Sequence, residues 1–215
     1  MKVKFLASKK NELKRLVNLY GDYQWFIDND FPVILPAFFK KIYKKYGNAD
    51  LNKNLIDRIF DRELNRIYKK NIYTKKAFFL KNNWVNVEKN FLSVLADLKI
   101  KPSSDFFCYL SLYGPAGQFK TPNIINLRIA NKKDLKEANI SIAHEIIHLL
   151  LYKKFTRMRL GYKQTEGMVD LFFTETDVKK IFPKYEKQTI AIHDKNIFAK
   201  IAKIKYALQL TLPKQ

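Results

Sequence analysis

The chain has 215 residues, 47% of them apolar and 14% aromatic, which excludes a disordered polypeptide and leaves room for one large domain or two small ones. Its single cysteine, Cys108, excludes an internal disulfide and a four-thiolate zinc site and points to a reducing compartment, with the cytoplasm as the expected location. The net charge of +21 arises from 41 lysines and arginines against 20 acidic residues, yet the cations are spread along the whole chain, so neither nucleic acid nor a lipid surface is the expected partner.

The start, MKVKFLASKK, offers only FLA between basic residues, too short for the core of a secretory signal. VKFLAS predicts a short strand. Ser8 then caps a helix with Leu13, Leu16, Val17 and Tyr20 on one face. Further helices are expected over 36–46, 51–72 and 75–98, with breaks at Gly47-Asn48 and Asn71. The oiliest stretches, FPVILPAFF at 31–39 and IIHLLLY at 146–152, fall far short of the ~20 apolar residues of a bilayer crossing.

The texture changes after Lys101-Pro102. DFFCYLSLY at 105–113 and IINLRIA at 124–130 predict two strands flanking the loop GPAGQFKTPN. Asp134 caps a helix expected over 135–154, and Gly161 breaks the chain before another at 163–173. Pro183 marks a stop, and a last helix is expected over 195–211. The expected organisation is a helical region over 1–100 followed by a core over 101–215. The expected class is α+β, mostly helical, with a small sheet beside one oily helix.

That helix carries the chemistry. In ISIAHEIIHLLLY, His144 and His148 are one turn apart and share a face, so two imidazoles can converge on one ion. Glu145 stands beside them in the HExxH arrangement, where two neutral imidazoles bind zinc and the glutamate serves as general base. Ile140, Ile142, Ala143, Ile146, Ile147, Leu149, Leu150 and Leu151 leave little polar face, so the helix is expected to be buried nearly all round. A buried glutamate is costly unless something offsets its charge, and a cation does so.

A catalytic zinc site needs a third protein ligand and an open position. Glu166 in QTEGMVD is the candidate, and Asp170 on the same face is expected to accept a hydrogen bond from a ligand histidine. His144-Glu145-x-x-His148 followed by Glu166-x-x-x-Asp170 resembles the gluzincin group of zinc metallopeptidases, thermolysin-like enzymes among them. The resemblance implies a zincin-like fold and zinc held by His144, His148 and Glu166. It also implies a backing helix and a small sheet whose edge strand binds peptide, a place the order of elements from 75 to 154 assigns to the strand at 124–130.

His193 is a catalytic candidate for stabilising the oxyanion, a task open equally to Tyr152, Tyr162 and Tyr185. The expected activity is peptide hydrolysis with Glu145 as base, acting on a peptide or protein substrate. The alternatives are an inactive zinc-clamped protein, a basic nucleic-acid binder, and a peptidase held latent by its N-terminal helices.

Overall fold

The structure is a computed structural model that describes residues 2–47, 53–100 and 104–202. The first residues of the helix expected over 51–72, the Lys101-Pro102 change, and the part of the last helix beyond residue 202 lie outside the described residues. The secondary structure is mixed, with helices predominating around a small four-stranded mixed sheet.

Strand β1 (Val3–Leu6) opens the chain. Helix α1 (Lys9–Gly21) follows, its first turn closed by the Ser8 hydroxyl, which accepts from Asn11 N at 3.1 Å. A short α2 (Tyr23–Asp28), with no sequence signal strong enough to foresee it, precedes α3 (Ala37–Tyr46) and α4 (Lys53–Ile67). Helix α5 (Lys70–Asp97) begins earlier than expected, so Asn71 lies inside it and the break falls at Tyr68-Lys69. The reason is aromatic packing: leaving the helix lets Tyr68 stack on Tyr73, with ring centroids 4.8 Å apart.

Strands β2 (Phe106–Ser111) and β4 (Ile124–Arg128) match the two expected strands. The connection between them is not all loop, because Gly117–Lys120 forms β3. The sheet order is β1-β2-β4-β3, with β1, β2 and β4 parallel and β3 antiparallel to β4. Strand β4 is therefore an inner strand with both ladders occupied, and the edge that the sequence reading assigned to 124–130 belongs to β3. Phe119 pairs with Ile125 and Lys120 with Ile124 in this ladder, a pairing the Gly- and Pro-rich composition of GPAGQFKTPN conceals.

Helix α6 (Lys132–Arg157) carries the HExxH residues and α7 (Tyr162–Glu175) carries Glu166. Asp134 does not cap α6. Asn131 does, its side chain accepting from Asp134 N at 2.9 Å, while Asp134 reaches back to the backbone N–H groups of Ala130 and Asn131 at 2.8 and 3.4 Å. Short α8 (Val178–Ile181) and α9 (Lys195–Ala202) complete the described chain.

Contacts divide the chain into two compact units, Met1–Glu88 with Pro102–Leu149 and Lys89–Lys101 with Leu150–Gln215. In the first, an apolar cluster joins α1, α3 and α4 through Leu16, Leu19, Phe39, Ile56, Phe60 and Leu64. In the second, Phe173 stacks on Tyr185 at 3.9 Å, and Phe172 meets Phe198 edge-on at 4.9 Å. No described helix is long and apolar enough to cross a membrane.

Candidate metal centre

Residues 142–149 of α6 are all buried, as the apolar sequence around the motif requires. Among them, His144 and His148 direct their Nε2 atoms at each other across 3.0 Å, with ring centroids 4.8 Å apart. That separation is shorter than twice the ~2.05 Å of a zinc–nitrogen bond, so a single ion can reach both nitrogens.

The edge strand β3 runs against this face. Phe119 stacks on His148 with centroids 4.9 Å apart and planes 12° from parallel, which restrains the imidazole's rotation. Gly117 lies so close to the general-base candidate that a Cβ there would fall 2.4 Å from Glu145 Oε1. The turn that launches β3 is held from several sides. Arg15 donates to Pro115 O at 2.8 Å, Arg128 donates to Gly114 O at 3.1 Å, and Arg128 N reaches Ala116 O at 2.9 Å. Gly114 has φ +96° and sits against the Arg15 guanidinium, so a side chain there is excluded by both conformation and space. Burial pulls the Arg15 guanidinium down to about 10, yet it remains a cation at neutral pH.

Four residues, 158–161, link α6 to α7. Arg159 turns the chain with φ 54°, Leu160 N bonds Phe155 O at 3.1 Å, and Gln164 accepts from Gly161 N at 2.9 Å. Glu166 and Asp170 follow one turn apart, both buried. The Gln188 carboxamide donates to Glu166 Oε2 at 2.6 Å. Asp170 takes Tyr185 Oη on one oxygen at 2.5 Å, and on the other both Gln188 N at 3.0 Å and His193 Nε2 at 2.7 Å. The imidazole on Asp170 is thus that of His193, whereas the sequence reading expected a ligand histidine there. Gly167 allows this loop to close, since a Cβ would fall 1.8 Å from Ile192 O.

His144 and His148 present two ligand nitrogens on one face of α6, and Glu166 on α7 offers a buried carboxylate as the candidate third ligand. Two imidazole nitrogens and a carboxylate form a donor set suited to zinc rather than to calcium or magnesium, and they leave coordination positions for other ligands. Of the tyrosines considered for the oxyanion, Tyr152 and Tyr162 are exposed and Tyr185 is engaged with Asp170.

Gln188, Gly117 and Phe119 escaped the sequence reading. Gln188 sits in a Lys-rich stretch with no local signal, while Gly117, the second glycine of GPAGQF, was the available hint of a close approach. No family model matches the chain, and comparison with curated proteins and with solved structures finds no match.

Proposed function

We propose that the protein is a zinc-dependent peptidase of the gluzincin type, with a zincin-like catalytic fold and with His144, His148 and Glu166 as the metal ligands. The observation that carries this reading is the pair of imidazole nitrogens facing each other at 3.0 Å beside buried Glu145. Bound zinc would supply a Lewis acid and bring the pKa of a coordinated water toward ~7.

The remaining work falls to the chain itself. Glu145 accepts the proton of the attacking water and returns it to the leaving amine. The outer edge of β3 offers backbone N–H and C=O groups on which an extended substrate adds as a further strand. Phe119 keeps the His148 ring in one orientation. Asp170, fully buried, binds Nε2 of His193 and fixes the orientation of that imidazole, the candidate for stabilising the oxyanion.

Metal analysis of purified protein tests the site: the native chain should hold close to one equivalent of zinc and His148→Ala should lose it. Equal and negligible zinc in both, unrecovered on titration, rejects the centre. For the chemistry, Glu145→Gln should retain the metal and lose roughly 10²- to 10⁴-fold in turnover of a peptide substrate. Undiminished cleavage by that variant removes Glu145 from its role.

A further inference from the structure

Helices α3 and α4 border a groove of about 880 Å³ that has no part in the metal chemistry. Its floor is built at a helical spacing of four. Phe38, Ile42 and Tyr46 line it from α3, and Leu55, Ile59 and Ile67 from α4, with Glu63 in the same α4 row between Ile59 and Ile67. The inner stripe of α4, namely Ile56, Phe60 and Leu64, is already consumed by the core. The groove stripe lies beside it and remains partly open, with Ile67 40% exposed. A helix with one apolar stripe in the core and a second facing outward has a packing face left over.

The rims carry the second feature. Lys41 and Lys45 stand one turn apart on α3, and Arg62 and Arg66 one turn apart on α4, so each helix contributes a basic rail. Against these four cations stands a single carboxylate, Glu63, which both arginines approach at 3.3 and 3.1 Å. The groove therefore keeps a net positive charge along a floor that is apolar except at Glu63, and an occupant must be apolar on one face and acidic along its flanks.

We propose that this groove is a docking site for an acidic amphipathic helix of a partner or substrate protein. Helix α3 spans ten residues and α4 fifteen, which sets the occupant at about 15–22 Å, or three to four turns. It would lie as a third helix on the α3–α4 pair, apolar side chains on the floor and glutamates or aspartates beside the two rails. Rail charges tune the association rate and its salt dependence, while the floor sets how long the helix stays.

The test uses the full chain and a labelled 16-residue helix with leucines on one face and glutamates flanking it. Its controls are a scrambled isomer of the same charge and a version with lysine in place of glutamate. By fluorescence anisotropy, the ordered acidic helix should bind at least tenfold more tightly than the scrambled isomer. The lysine version should not bind, and added salt should weaken the complex. Lys41→Glu with Arg66→Glu, and separately Ile67→Asp, should each weaken binding tenfold or more, while Lys133→Glu with Lys179→Glu leaves it unchanged. All are exposed positions, and thermal melts verify that the variants fold. Equal binding of ordered and scrambled peptides, or equal loss in the control reversal, overturns the proposal. So does groove-dependent binding to phosphatidylglycerol vesicles without peptide selectivity. A wild-type dimer dispersed by the groove substitutions in sedimentation would assign the surface to a second copy instead.

Discussion

Gln188 shows how much a single amide can govern at the proposed metal centre. Its carboxamide holds one oxygen of Glu166 at 2.6 Å, and its own backbone N–H is tied to Asp170 at 3.0 Å. Such outer partners fix the orientation of a ligand carboxylate, and their loss typically costs 10–100-fold in metal affinity. Gln188→Ala is expected to weaken zinc binding by that range, measured by chelator competition, with an unchanged melting temperature in the metal-free state. Gly117 acts by what it lacks. In Gly117→Ala the new Cβ would meet Glu145 Oε1 at 2.4 Å, so the glutamate must shift. Catalysis should fall at least tenfold while zinc content stays near one equivalent; full activity in Gly117→Ala would show that β3 does not constrain Glu145. Among site residues, His144, Glu145 and His148 were legible because a helix fixes the spacing of four. Gln188 was not, because its role depends on a loop whose path no local pattern encodes.

At the scale of elements, the start of α6 depends on a buried ion pair. Arg128 meets Asp134 through two hydrogen bonds of 3.0 and 2.8 Å, with side-chain exposures of 14% and 4%. Burial alone would raise the Asp134 carboxyl, but the guanidinium and the N–H groups of Ala130 and Asn131 outweigh it and hold the group below its ordinary value. A carboxylate depressed in the folded state stabilises fully above its unfolded pKa of about 3.9 and loses that contribution as pH falls through the lower folded value. Asp134→Asn should therefore destabilise the protein by about 3 kcal/mol at neutral pH, since it leaves a buried guanidinium without its counter-charge. In urea titrations the gap between native and variant should narrow as pH drops below about 4; a gap independent of pH would contradict the ion-pair account. The same corner shows the reach of sequence patterns. Apolar periodicity located α6, but Asn131 and Asp134 are both competent caps, and only the position of Arg128 on β4 decided which one closes the helix and which one pairs. Strand β3 was missed for a related reason: four residues with no apolar alternation become a strand when β4 supplies their hydrogen-bond partners.

For the whole molecule, zinc binding should appear as folding stability, because the unfolded chain has no assembled site. Free zinc at one hundred times its dissociation constant corresponds to about 2.7 kcal/mol of stabilisation. Zinc should thus raise the melting temperature by several degrees, a chelator should reverse the rise, and His148→Ala should show neither effect. An identical melting curve with and without zinc would argue against a resident ion. The net charge of +21 takes on a specific local meaning in the α3–α4 groove, where four cations line an apolar floor, although along the chain the lysines show no clustering. The short-range part of this protein could be read from its residues alone: Ser8 as a cap, the oily helix, and two imidazoles one turn apart, because each depends on neighbours within a few residues. Relations between distant segments emerged with the fold, among them β3 against Glu145, Gln188 on Glu166, His193 on Asp170 and the two basic rails of the groove. Those contacts are fixed by how apolar faces pack, and side chains far apart in the chain meet only after that packing is complete.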